Sequence, residues 1–175
     1  MKLRLLVCFF LISQISSPLA RETIEFENGD TYKGEIVDGV PNGFGSGGYS
    51  NGHSYEGAYK SGLPSGYGVY IWPNGEKHEG QFVNGLAHGF GFRELIGGQI
   101  HEGEYQNGSA VGHGVWTWPG GEKHEGQFIA GQAHGFGVRE FENGDTREGN
   151  FVAGRADGFL FERMSNGHTY TGFVK

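Results

Sequence analysis

Short runs of alternating apolar and polar residues recur along the chain, punctuated by glycine. Tyr55-Glu56-Gly57-Ala58-Tyr59 is one such run and His78-Glu79-Gly80-Gln81-Phe82 is another. A two-residue alternation marks a strand with one face covered. The pattern returns every 23 residues, with segments opening at Tyr32, Tyr55, His78, His101, His124 and Arg147, and a seventh at Tyr170. The fifth position of each full segment is apolar: Ile36, Tyr59, Phe82, Tyr105, Phe128 and Phe151. A second apolar run follows in each, such as Val69, Ile71 and Trp72, or Val115, Trp116 and Trp118. Each segment therefore predicts two strands. Gly-x-Gly pairs such as Gly66/Gly68 and Gly89/Gly91 are expected to bend the chain between them. Asn74-Gly75, Asn143-Gly144 and Asn166-Gly167 predict type I′ turns leading into the next segment.

The repeat boundaries read 32–54, 55–77, 78–100, 101–123, 124–146 and 147–169, with partial repeats at 21–31 and 170–175. A single two-stranded unit cannot bury its own rings, whereas stacked neighbours can. The expectation is all-β: one elongated antiparallel sheet of tandem hairpins, about fourteen strands and roughly 60 Å long. Trp72 to Glu94 is nearly repeated as Trp118 to Glu140, which reads as duplication of a two-repeat unit.

Tyr55 to Gly68 spells Tyr-Glu-Gly-x-Tyr-x-x-Gly-x-x-x-Gly-x-Gly at the 23-residue period. This resembles the MORN (membrane occupation and recognition nexus) repeat, and the resemblance covers nearly all of the chain after residue 20. It implies a rod or groove of β-hairpins acting as a scaffold, self-association module or membrane-proximal adaptor, with catalysis supplied by attached domains. The chain departs from the motif at His78, His101, His124 and Arg147, where tyrosine is usual. It departs again at Leu160, which replaces the second glycine of a Gly-x-Gly pair.

Composition sharpens this picture. Glycine accounts for 35 of 175 residues, which disfavours helix, while 14% aromatic residues argue against disorder. Met1–Ala20 reads as a signal peptide: Lys2 and Arg4, an apolar run from Leu5 to Ile12, then small polar residues. Cleavage after Ala20 is expected, with Ser17 as the alternative. A secreted or periplasmic location follows. Cleavage would remove Cys8, the single cysteine, and shift the formal charge from −7 to −9 by removing Lys2 and Arg4. So acidic a chain is not expected to bind nucleic acid, and anionic lipid surfaces would repel it. Asn107-Gly108-Ser109 is a glycosylation sequon or simply a turn.

Three sets of side chains carry candidate chemistry. His78, His101 and His124 form a column too widely spaced, at about 10 Å, to share one metal ion. No metal or cofactor is expected. Instead these histidines should pack in place of tyrosine, and should respond to pH between about 7 and 5. Glu56, Glu79, Glu102, Glu125 and Glu148 form a second column, expected on the opposite face as a solvated acidic surface. The rings are the third set. Tyr67, Phe90 and Phe136, with Phe44 and Phe159, sit between the paired glycines, and His113 takes that place once. They line either a buried core or a groove for an extended partner. The full candidate interaction surface comprises these three rings, the strand rings Tyr55, Tyr59, Phe82, Tyr105 and Phe128, and the indoles Trp72, Trp116 and Trp118. The expected function is a non-catalytic protein-binding or self-associating scaffold. A glycan- or envelope-binding module is the alternative, and a stand-alone hydrolase is the weakest reading.

Overall fold

The computed structural model describes residues 22–174. The predicted signal peptide lies outside the described residues. Fourteen strands follow in order: β1 Glu22–Glu25, β2 Thr31–Val37, β3 Val40–Gly48, β4 Ser54–Lys60, β5 Leu63–Ile71, β6 Lys77–Val83, β7 Leu86–Glu94, β8 Ile100–Gln106, β9 Ser109–Thr117, β10 Lys123–Ile129, β11 Gln132–Glu140, β12 Thr146–Val152, β13 Arg155–Arg163 and β14 Thr169–Val174. Each pairs antiparallel with its neighbours in sequence, giving one open meander ordered β1 to β14.

The reversals within repeats lie elsewhere than the Gly-x-Gly pairs. They occur at Asp38-Gly39, Ser61-Gly62, Asn84-Gly85, Asn107-Gly108, Ala130-Gly131 and Ala153-Gly154, where both residues have positive φ. This is the type I′ geometry that matches strand twist. From Ser61-Gly62 onward, each tip is tied to the repeat before it. Gly62 N donates to Pro41 O at 2.9 Å, Gly85 N to Pro64 O at 2.8 Å and Gly108 N to Ala87 O at 2.9 Å. The Gly-x-Gly pairs instead lie inside the longer strands, beside a bulge where the pairing of Gly57 and Tyr59 shifts register. Gly66, at φ +87°, accommodates that bulge.

The Asn-Gly loops between repeats also differ from expectation. Trp72 N donates to Glu76 O and Gly75 N donates to Trp72 O, both at 2.9 Å. Gly75 is left-handed at φ +91°, but Asn74 is not. Pro73 fixes a negative φ at the first loop position and so excludes type I′. A type I turn closed by a left-handed glycine results. The asparagine contributes through its side chain: Asn74 Oδ1 accepts from Glu76 N at 3.1 Å.

One face of the sheet is covered by an edge-to-face zipper of rings. Tyr55 meets Tyr59 at 5.1 Å within its repeat and Phe82 of the next at 5.0 Å. His78 continues the series, at 5.3 Å from Phe82 and 4.6 Å from Tyr105. His101 contacts Tyr105 and Phe128, and His124 contacts Phe128 and Phe151. Each contact is worth about 0.5–1.5 kcal/mol beyond the area it buries. Every unit therefore completes its core only with the next one.

Candidate interaction surface

Strand parity assigns each ring to a face. Gly80 opposes Gly91, and Glu79 opposes Phe92 in the same pair of strands. His78 shares the face of Gly80 and lies over the two opposed glycines. A Cβ at Gly91 would stand 2.7 Å from the imidazole, and one at Gly80 would stand 2.7 Å from the Gly91 Cα. Glycine at both positions lets the ring lie against bare backbone.

The histidine column is consequently buried: His78 and His101 are 1% exposed and His124 is 2% exposed. Loss of solvent pushes all three imidazoles down to about 4, with Arg93 adding to the effect at His78 and His101, and Arg139 at His124. Charging of this column in the folded chain between pH 7 and 5 is therefore not expected. These imidazoles remain neutral through that range because their charged form has no access to water. His101 Nδ1 shares a 2.7 Å hydrogen bond with the Tyr105 hydroxyl. The ring nitrogens of His78 and His124 have no hydrogen-bond partner among the described residues. Burial beside Tyr49 raises the Tyr55 phenol to about 12.

Five members of the candidate surface belong to this interior. Tyr55, Tyr59, Phe82, Tyr105 and Phe128 are buried in the zipper, so none of them is open to a partner. The three indoles are half-buried on the same side. Arg93 lies over Trp72 at 4.6 Å and bonds Glu76 at 3.1 Å, and Arg139 lies over Trp118 at 5.1 Å while pairing with Glu122. The near-duplicate segments thus build the same Trp–Arg–Glu stack twice. Trp116 packs against His101 and Trp118.

Tyr67, Phe90 and Phe136 point the other way. They are 60%, 58% and 56% exposed, and Phe44 and Phe159 accompany them. The buried-core reading of this stripe is overturned, because a residue between two interior glycines must face outward. The glutamate column shares the outer face. Glu79 opposes both Val69 and Phe92, and Glu102 opposes both Phe92 and Val115, so acids and apolar side chains alternate across the strands. Tyr67 donates its hydroxyl proton to Glu79 Oε1 at 3.0 Å, and that bond raises the phenol above its ordinary range. A shallow cleft of about 480 Å³ lies between Tyr67, Phe90 and Phe92, edged by Lys77, Glu79 and Glu102. Phe173 of β14, 79% exposed, packs against Phe159 at 5.4 Å and extends the stripe. It is not among the sequence candidates, because it stands at the fourth position of its segment, opposite Phe159, where Gln81 and Asn150 stand opposite Tyr67 and Phe136.

The match to known families follows this geometry. The MORN repeat model matches residues 32–54, 55–77, 78–98, 101–123 and 124–146. The chain belongs to the MORN repeat family. The matched segments are the first five of the six repeats, and the MORN glycines are those beneath the rings. No curated protein matches the chain. Among solved structures, it is similar to the TCP domain of Drosophila melanogaster SAS-4 in complex with a proline-rich motif of Ana2. Identity there is 12%, coverage 87% of this chain and 83% of that one, and the TM-score 0.45. It is also similar to the TCP10 domain of Danio rerio CPAP in complex with a STIL peptide, at 12% identity, 89% and 80% coverage, and a TM-score of 0.37.

Among the described residues, no group of three or more His, Cys, Asp or Glu side chains is arranged to hold a metal ion. No helix there is long and apolar enough to cross a membrane.

Proposed function

We propose that this MORN-repeat chain is a non-catalytic, exported scaffold that docks a protein partner or a second copy of itself through its outer sheet face. The observation that carries the reading is the row of rings at Phe44, Tyr67, Phe90, Phe136 and Phe159, each about half exposed or more on one face. Contiguous exposed apolar surface of this kind usually marks an association site. Export rests on the basic start and the Leu5–Ile12 apolar run. The absence of catalysis rests on the glutamate column, whose acids return once per repeat along an open outer face with no pair singled out. The glycan reading is weaker, since Arg93 and Arg139 already stack on Trp72 and Trp118.

The test is affinity capture from the extracytoplasmic fraction, with the Phe90→Ala/Phe136→Ala double variant as comparison. The wild-type chain should retain a protein, or sediment as an oligomer, and the double variant should do neither. Identical capture and sedimentation for both would remove the reading.

A further inference from the structure

The outer face is ruled in two directions. Across the strands, one ring returns per repeat, so successive rings are about 9.6 Å apart, the width of two strands. Two residues along each strand, a distance of about 7 Å, runs the parallel row of Glu56, Glu79, Glu102, Glu125 and Glu148. Glu79 has a cation at 3.9 Å, the Lys77 ammonium. No salt bridge engages the other four acids among the described residues. Exposed amides stand beside the rings in the cross-strand register: Gln81 opposes Tyr67, Gln127 opposes His113 and Asn150 opposes Phe136.

We propose that this face binds a basic, proline-rich segment of a partner protein, laid across the strands as a polyproline II helix with one turn per ring. The proposal rests on the docking reading above and names its ligand. A polyproline II helix advances about 9.3 Å per three-residue turn, which nearly matches the ring spacing. Each turn would seat one proline in a cleft like that between Tyr67 and Phe90. Aromatic-lined grooves recognise such segments because the ligand is already ordered before it binds. Its backbone carbonyls are free of internal hydrogen bonds. They can therefore accept from the amides of Gln81, Gln127 and Asn150. A lysine or arginine at another position of the turn reaches the glutamate row. An α-helix fits less well: its carbonyls are already used, and at about 10–12 Å across it would straddle both rows.

The test is fluorescence anisotropy with the protein produced from its full-length sequence. The probe is a labelled peptide of Pro-Pro-Lys repeats, about fifteen residues or five turns long. Controls are a Gly-Ser-Lys peptide and a helical Ala-Lys peptide of equal length and charge, and a β-linked oligosaccharide. The Pro-Pro-Lys peptide should bind about tenfold more tightly than any control, and Phe90→Ala/Phe136→Ala should lose about tenfold, as expected of anchor rings. Glu102→Gln/Glu125→Gln should flatten the salt dependence. All four sites are exposed, so unchanged thermal midpoints would confirm folding. Equal binding of either control peptide, preference for the oligosaccharide, or no binding of the Pro-Pro-Lys peptide overturns the proposal. If that peptide fails while protein capture still depends on Phe90 and Phe136, the ligand is wrong and the docking reading stands. If both fail, both are wrong.

Discussion

Leu160 opposes Gly149 across β12 and β13 and fills the space above it. In the repeat before, a ring occupies that place: a Cβ at Gly137 would stand 2.8 Å from the His124 imidazole. The sixth repeat makes two changes together. Arg147 stands at the ring position and turns aside to Glu162, bonding it through Nε at 2.6 Å, while Leu160 supplies the missing apolar volume.

The exchange predicts compensation. Leu160→Gly alone should cost about 2–5 kcal/mol, the range for emptying a buried leucine site. Arg147→His alone should also destabilise, because a ring and Leu160 compete for one space. The double variant should recover most of the combined loss, and urea unfolding of the four proteins would measure the coupling. Strict additivity would mean that the two positions do not share the space.

Burial of the histidine column sets a pH limit on stability. The folded imidazoles bind protons only near pH 4, whereas unfolded histidine does so near 6.5. Between these values the unfolded chain holds more protons, so stability falls as pH drops from about 6.5 to 4. Above 6.5 the contribution of these groups is complete. The urea midpoint should be flat from pH 8 to about 7 and then decline, with His124→Phe reducing the slope by up to one proton. A midpoint independent of pH from 7 to 4.5 would contradict this account.

How much was legible depends on what repeats and what does not. The 23-residue return of ring and glycine predicts the strand order, because each hairpin leans only on its neighbours. That His78 packs in place of tyrosine is legible, but its complete burial is not, since its cover comes from Tyr105 in the following repeat. Its facing could have been found from parity: Phe90 and Gly91 are adjacent, so a ring over Gly91 requires Phe90 to point outward. From sequence alone Gly66 reads as a bend, because positive φ serves a bulge as well as a turn. The actual reversals at Ala130 and Ala153 carry no turn residue before their glycine and left no local signal.

Those two alanines make the last prediction. Ala130 and Ala153 each hold φ +49°, where a Cβ crowds the following carbonyl. Asn84 and Asn107 occupy the equivalent place in two other repeats at φ +50°. Asparagine tolerates this region better than alanine because its short side chain can bond locally. Ala130→Asn and Ala153→Asn should each stabilise the protein by about 0.5–1 kcal/mol, and Asn84→Ala should destabilise it by a similar amount. The sites lie in different repeats, so the two gains should add. Urea denaturation decides the matter: a loss of stability in either alanine-to-asparagine variant would show that these tips are not strained by their backbone.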